Sequence, residues 1–334
     1  MKSSRNINMT KKYLKENDLL AIPFDKGIGI CIMKRDIYNK KMESIINLPQ
    51  FEKLQKKRKN EKHPVLREEE RVIKILRELK ERGKLEDELY EALRPRGSQP
   101  ARLYGLAKVH KNNIPVRPVL SMPGSAYHKV ALKVAEWLSV IPECGINSST
   151  KAISDSLNTI QLLEDEEVVS FDVSSLYTNV PVTEAIEVCT NHLFNGINKP
   201  PPVDRETFIT LTKIASCDVI MATHNGYYKQ IDGLAMGSPP APHLANSWMN
   251  QFDRAIRGEA TLFARYMDDI ICNIKQNEIE SKLREINSLH PNLNFTIERE
   301  DNGSIPFLDM KIIHNTNGKL CSTWYNKPTD TGLI

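Results

Sequence analysis

The sequence predicts an α+β fold in which antiparallel hairpins and helices come in blocks. Two observations carry that prediction. Apolar runs of strand length meet at turn signals, at Asn225-Gly226, Asp268-Asp269 and Asn317-Gly318. Longer stretches between them space their apolar residues at helical period, with no internal repeat. A length of 334 residues, 40% of them hydrophobic, suits two or three packed subdomains with a real core.

Residues 1–64 are polar, apart from Ile28, Ile30 and Ile32, which alternate with Gly29 and Cys31 and predict a strand. The basic run Lys53 to Lys62 reads either as a solvated helix face or as a contact for nucleic-acid phosphates. Over 65–93 a helix carries Val72, Ile75, Leu76 and Leu79 on one stripe, broken or bent at Gly83. Residues 94–126 are rich in Pro, Gly, Arg and Lys and predict an irregular or hairpin segment. Helices follow at 127–141, stopped by Pro142, and at 150–163. A short strand, Val168 to Phe171, runs into Asp172, and Pro181 opens a helix over 182–194. After the prolines at 200–202, Asp204 is a candidate N-cap for a helix through Phe208, Leu211 and Ile214. A hairpin over 218–232 leads through a Gly/Pro segment into a helix ending near 257. Two apolar runs, Thr261–Met267 and Ile270–Ile274, flank Asp268-Asp269 as a second hairpin. A polar helix at 277–288 and strands at Phe295–Glu298, Phe307–Ile313 and Leu320–Tyr325 complete the chain.

A net charge of +4 is compatible with nucleic-acid binding without arguing for it. Six cysteines, none in a C-x-x-C pair and each among apolar neighbours, read as reduced core thiols. The first residues are basic with no apolar run behind them, so no secretory signal is predicted. No stretch approaches the ~18 apolar residues of a membrane span, so no membrane association is expected. The expectation is an intracellular, nuclear protein, although composition itself does not separate nucleus from cytoplasm. No protein partner is evident.

Two aspartates at one hairpin turn are electrostatically awkward, because each raises the other's pKa. An ordinary Asp-rich surface turn is one reading. A divalent cation is the other, since hard oxygen ligands suit Mg²⁺ and Mg²⁺ takes substrate phosphates as partners. The setting favours the second: Arg265-Tyr266-Met267-Asp268-Asp269 runs into Ile270-Ile271, and Asp172 ends another apolar strand almost a hundred residues earlier. If that strand joins the hairpin in one sheet, three carboxylates meet at one edge. Such a cluster can hold two metals ~3.5–4 Å apart, one activating an attacking hydroxyl and one stabilising a leaving pyrophosphate.

Tyr266-Met267-Asp268-Asp269 between apolar strands resembles the catalytic hairpin of reverse transcriptases, and Phe171 to Tyr177 resembles their other metal-binding segment. Further stretches resemble Penelope-like retroelements, relatives of telomerase reverse transcriptases: Asp25-Lys26-Gly27, Leu103-Tyr104-Gly105-Leu106 with Lys108 and His110, Pro115-Val116-Arg117-Pro118, Pro306-Phe307-Leu308-Asp309 and Lys327 to Thr331. The match runs from about residue 20 to the end, and the ordered combination is far more specific than any one motif.

The resemblance implies a right-hand polymerase fold, with an antiparallel palm sheet, packed helices and fingers. It implies an N-terminal basic and helical extension over 1–95, fingers over 96–170, and mainly palm with interleaved fingers helices over 171–334. Relatives continue into a thumb, and many carry a GIY-YIG endonuclease; neither is evident before Ile334, so the thumb is expected to be absent or truncated. The implied reaction adds dNTPs to the 3′-OH of a DNA primer on an RNA template, with two Mg²⁺ ions for which Mn²⁺ can substitute. Asp172 and Asp268 would be the main metal ligands, Asp269 would complete the acidic cluster, and the backbone carbonyl of Val173 would add a contact. Tyr177 would lie beneath the incoming sugar and exclude a 2′-OH; its alternative is a core tyrosine. Lys108 and Arg117 would contact the triphosphate, Arg as a bidentate donor; their alternatives are surface charge and a loop salt bridge. Met236 and Gly237 fall in Gly233 to Pro239, the segment near the new base pair, and Met236 stands where retroviral members carry Gln. Phe307-Leu308-Asp309 would lie near the primer end. A polymerase-derived protein that binds nucleic acid without catalysis is the competing reading, which intact acids disfavour. An unrelated protein with chance acid pairs fails on the number and order of motifs.

Overall fold

The computed structural model describes residues 2–55, 62–142, 150–196, 200–217 and 219–325, with side chains from residue 6. Helix α1 (Lys2–Glu16) precedes a two-stranded ribbon, β1 (Leu19–Pro23) and β2 (Ile30–Lys34). Then come α2 (Arg35–Ile46), β3 (Phe51–Lys53), α3 (Pro64–Glu81) and α4 (Asp87–Leu93). The hairpin β4 (Ala101–Ala107) and β5 (Val116–Ser121) leads to α5 (His128–Leu138) and α6 (Thr150–Leu157). Strand β6 (Glu166–Val173), the short α7 (Leu176–Asn179), α8 (Val182–Asn195) and α9 (Arg205–Ser216) follow. The hairpin β7 (Ile220–Thr223) and β8 (Gly226–Gln230) and helix α10 (Ala241–Arg257) precede β9 (Phe263–Tyr266) and β10 (Asp269–Lys275). After α11 (Ile279–Asn287) come β11 (Phe295–Arg299), β12 (Ser304–Phe307), β13 (Met310–His314) and β14 (Leu320–Trp324).

The antiparallel sheet that matters most has the order β11-β6-β10-β9. Strand β6 is interior, and Val168, Val169, Phe171 and Val173 are buried along it, as an apolar strand packed on both faces requires. Helices α5, α8, α9 and α10 pack together in the largest core cluster, which includes Phe171, Val173 and Ile270 of this sheet. A second sheet has the order β3-β8-β7-β4-β5, and a third, β12-β13-β14, shares a smaller core with α6 and with Val168, Ala264 and Ile271 of the first sheet. The division expected at residue 170/171 falls inside β6.

Several predicted elements change on inspection. Gly83, at φ +68°, separates α3 from α4 as its position predicts, and the basic 94–126 stretch is the β4–β5 hairpin. The Asp204 carboxylate caps α9, accepting from the Thr207 N–H at 2.8 Å. The predicted strand at Phe307–Ile313 is instead a hairpin that turns at Leu308, which holds φ +55°. Continuous apolar character hid that turn. The isoleucine alternation at 28–32 does mark a ribbon, but Ile28, Ile30 and Ile32 face outward while Ile22 and Met33 pack inward against Ala107. The helix predicted to 163 ends at Leu157. Helices α1 and α2 fall within the helical extension expected over 1–95, although the sequence predicts no individual helix bounds before residue 65.

The five described cysteines form no disulfide, and burial pushes the Cys189 and Cys272 thiols up to about 12. Among the described residues, no helix is long and apolar enough to cross a membrane. Of the expected features, Cys144, most of the Lys53–Lys62 run and Lys327 to Thr331 lie outside the described residues.

Candidate active site

The acids come together through strand register. Strand β10 pairs antiparallel with β6 so that Asp269 lies opposite Asp172, and the Val173 N–H donates to the Asp268 carbonyl at 3.1 Å. Register partners share one face of a sheet. On the other side of β6, Thr296 of β11 lies opposite Asp172. Asp172, Asp268 and Asp269 therefore line one cleft, together with Val173, Tyr177, Met236, Lys108 and Arg117. Gly237 does not line it. It sits behind the loop at φ +97°, where a Cβ would meet the Leu120 carbonyl oxygen, so only glycine fits. The neighbouring Met236 carbonyl accepts from the Leu120 N–H at 2.7 Å, which ties this loop to β5.

The electrostatics single out a pair. The Asp172 carboxyl stands open to the cleft, yet the surrounding walls desolvate it enough to raise its pKa, and the Asp268 charge raises it further. Lys111, Lys26 and Lys108 act on it in the opposite sense from across the cleft. The sequence reading expects three carboxylates at one sheet edge, and all three line this cleft. Among the described residues no three acidic, imidazole or thiol side chains are gathered closely enough to cage an ion. The donor set still fits a divalent cation: hard-oxygen carboxylates side by side are what Mg²⁺ takes, and its charge would offset the repulsion that Asp172 meets.

Three residues lining the cleft hold left-handed backbone without being glycine: Ser175 at φ +54°, Met267 at +57° and Leu308 at +55°. Each such residue costs on the order of 1–3 kcal/mol and persists where its surroundings impose it, which is characteristic of functional loops. Tyr177 is half-buried against the main core, its carbonyl accepts from the Leu234 N–H at 2.6 Å, and burial followed by the Asp268 charge raises its phenol pKa. Lys108 is lowered, first by burial and then by the Arg117 charge.

The sequence reading missed the clamp on the acidic hairpin. Arg265 is only 1% exposed. Its Nε and Nη2 donate to the two Asp253 carboxylate oxygens at 2.6 and 2.9 Å, and its Nη1 donates to Asn246 Oδ1 at 2.7 Å and to the Met267 carbonyl at 3.2 Å. Asn246, Asn250 and Asp253 occupy one face of α10 at i, i+4 and i+7. A polar stripe on an otherwise apolar helix, beside an arginine two residues before the acid turn, was the available signal. Lys26 and Lys111 also line the cleft without having been proposed as site residues.

The reverse transcriptase (RNA-dependent DNA polymerase) family profile matches residues 109–300, more than half of the chain. No curated protein matches it. Telomerase from Candida albicans, solved in complex with a TWJ fragment of telomeric RNA, superposes with a TM-score of 0.62 at 10% identity, over 95% of this chain and 55% of that one. Apo telomerase from Candida tropicalis gives 0.55 at 11% identity, over 89% and 55%. At that identity the likeness concerns the fold, and this chain spans about half the length of those structures. Palm-type acids on a central antiparallel sheet, the family match and the shared fold agree: the chain belongs to the reverse transcriptase family.

Proposed function

We propose that this chain is the catalytic core of an RNA-directed DNA polymerase of the Penelope-like kind, adding dNTPs to a primer 3′-OH on an RNA template. The observation that carries the reading is the placement of Asp172, Asp268 and Asp269 in one cleft with Lys26, Lys108, Lys111 and Arg117. Acids on one wall suit cation-assisted attack, and cations on the other suit a polyphosphate. Asp172 and Asp268 would hold Mg²⁺, with Asp269 and the Val173 carbonyl beside them, and the bound ions would supply charge stabilisation at the reacting phosphate. The chain's own residues do the rest. Arg117 and Lys108 would grip the triphosphate, and Tyr177 would lie under the sugar. Met236 and the backbone braced by Gly237 would shape the pocket for the new base pair. The Penelope-like attribution is supported by Asp25-Lys26-Gly27 at the ribbon tip and by Leu103-Tyr104-Gly105-Leu106 within β4. The expected division into fingers over 96–170 and mainly palm over 171–334, and a nuclear location, belong to the same proposal.

The test is primer extension by the purified chain on an RNA template with dNTPs and Mg²⁺, with EDTA as control. Template-dependent extension that EDTA stops supports the proposal. Intact primer–template binding with no extension under Mg²⁺ or Mn²⁺ would favour a non-catalytic binding protein.

A further inference from the structure

One buried charge beside this cleft has no role in the reading above. The Asp25 side chain is 2% exposed and the Arg117 side chain 34%. Asp25 Oδ1 lies 3.1 Å from Arg117 Nε, an ion contact without hydrogen-bond alignment, and Asp25 Oδ2 is buried with no hydrogen-bond partner among the described residues. A buried carboxylate is costly unless a charge compensates it, so its placement calls for a function.

The backbone fixes where Asp25 sits. Its N–H donates to the Ala107 carbonyl at 2.9 Å, and Phe24 bridges to Ala107 in parallel. The ribbon therefore docks at the last residue of β4, immediately before Lys108, while Arg117 pairs with Leu106 on the adjoining strand. Asp25 lies beneath a group of cations. Lys108 and His110 both lose proton affinity, through burial first and neighbouring cations after it, and Asp25 is the acid that opposes the loss at each.

We propose that Asp25 is a positioning residue: held behind Arg117, it steadies the guanidinium through Nε so that the terminal fork stays presented to a polyphosphate in the cleft. This rests on the polyphosphate reading proposed above. The side of contact decides between holding and blocking. Asp25 approaches Arg117 closest at Nε and takes no hydrogen bond from either terminal nitrogen among the described residues, so the end-on pair of donors is left for phosphate.

The sign of one mutation separates the idea from simple electrostatics. If Asp25 were only a nearby negative charge, D25N would tighten anion binding. If it positions Arg117, D25N weakens it. Calorimetric titration of the full chain with Mg²⁺-tripolyphosphate reads this directly. Arg117→Ala is expected to weaken binding about tenfold, or 1.4 kcal/mol. D25N should weaken it roughly fivefold in the native background and less than about twofold beside Arg117→Ala, because the two act as one unit. Unchanged or tighter binding by folded D25N overturns the proposal while leaving the polyphosphate reading standing. No effect of Arg117→Ala removes the polyphosphate reading, and this inference with it. A spectroscopic measurement on the native chain covers the case in which D25N does not fold. The Arg117 Nε–H resonance should stand apart from that of a free arginine side chain, and should keep its position when tripolyphosphate is added. A resonance averaged to that of a free arginine side chain overturns the proposal.

Discussion

The two walls of the cleft are built in different ways. The acid wall is core: Asp172 follows Phe171 and precedes Val173, both buried, Asp269 precedes the buried Ile270, and Arg265 bolts the hairpin to α10. The opposite wall is loop: Lys26 lies at the ribbon tip, and Lys108, His110 and Lys111 lie between β4 and β5, with Lys26, His110 and Lys111 exposed. The difference follows from what each wall is asked to do. Reacting atoms lose rate steeply when a catalytic group is displaced by about 1 Å, so acids that organise attack need a rigid mount. A polyphosphate is attracted by point charges on flexible stems, and lysine supplies those without exact placement. Only Arg117, which can offer a planar fork, has a dedicated brace.

The contrast is broken most severely at the acids. Asp268→Asn keeps the shape and removes the charge that suits a cation. Extension should fall by at least ~10³-fold, about 4 kcal/mol of lost transition-state stabilisation. Primer–template affinity should stay within a few-fold, because backbone contacts dominate it. Near-normal extension by this variant would remove Asp268 from the catalytic role.

Arg265→Met asks whether the acid wall is truly core. The substitution leaves Asp253 buried without its bidentate partner, which costs roughly 3–5 kcal/mol in comparable buried pairs. Urea unfolding should show that loss. A stability change below about 1 kcal/mol would mean that Asp253 finds water or another partner, and that the hairpin is less firmly mounted than its contacts indicate.

The same contrast governs how much could be read from the sequence. The acid wall was legible because a rigid mount leaves a local signature: an apolar run, then an acid, twice over, at Phe171-Asp172 and around Asp268-Asp269. The hairpins with Asn-Gly or Asp-Asp turns and the Asp204 cap were legible for the same reason of short range, whereas the turn at Leu308 carried no such signal. The cation wall was only half legible. Lys108, Arg117 and Asp25-Lys26-Gly27 all stood out through motif resemblance, but the last lies on a ribbon over eighty residues away, and nothing local says that it folds onto the end of β4. The Arg265 clamp was hidden because Asn250 and Asp253, taken singly, look like a solvated helix face. The outward-facing isoleucines of β2 show the converse: alternation identifies a strand without telling which face the rest of the chain will cover.

Tyr177 sits where the walls meet, part core and part cleft. Tyr177→Ala should raise ribonucleotide use relative to deoxynucleotide use by about tenfold or more, if the ring blocks a 2′-OH, since one such contact is worth on the order of 1.4 kcal/mol. The ring also packs on the main core, and aromatic truncation there costs roughly 3–5 kcal/mol, so thermal melting must accompany the assay. A folded, active variant with unchanged sugar preference would make Tyr177 a packing residue alone.

The smallest expected effect tests the loop wall. Lys108→Met should raise the KM for dNTP several-fold while stability stays within about 0.5 kcal/mol, since methionine keeps the apolar stem and drops only the partly desolvated charge. The sign of the pH dependence supports this. Burial and the Arg117 charge lower the Lys108 pKa in the folded chain, so in the interval between that lowered value and the usual lysine range the unfolded chain binds more protons. Stability then rises with pH through that interval, and at lower pH the charged lysine is a cost to the fold. Removing it should therefore leave the protein as stable as before, or slightly more so, while nucleotide capture weakens. Chemical denaturation at neutral pH and again near the lysine range measures both arms. A clear loss of stability at neutral pH would show that Lys108 is structural after all, and that the cation wall shares the core mounting of the acids.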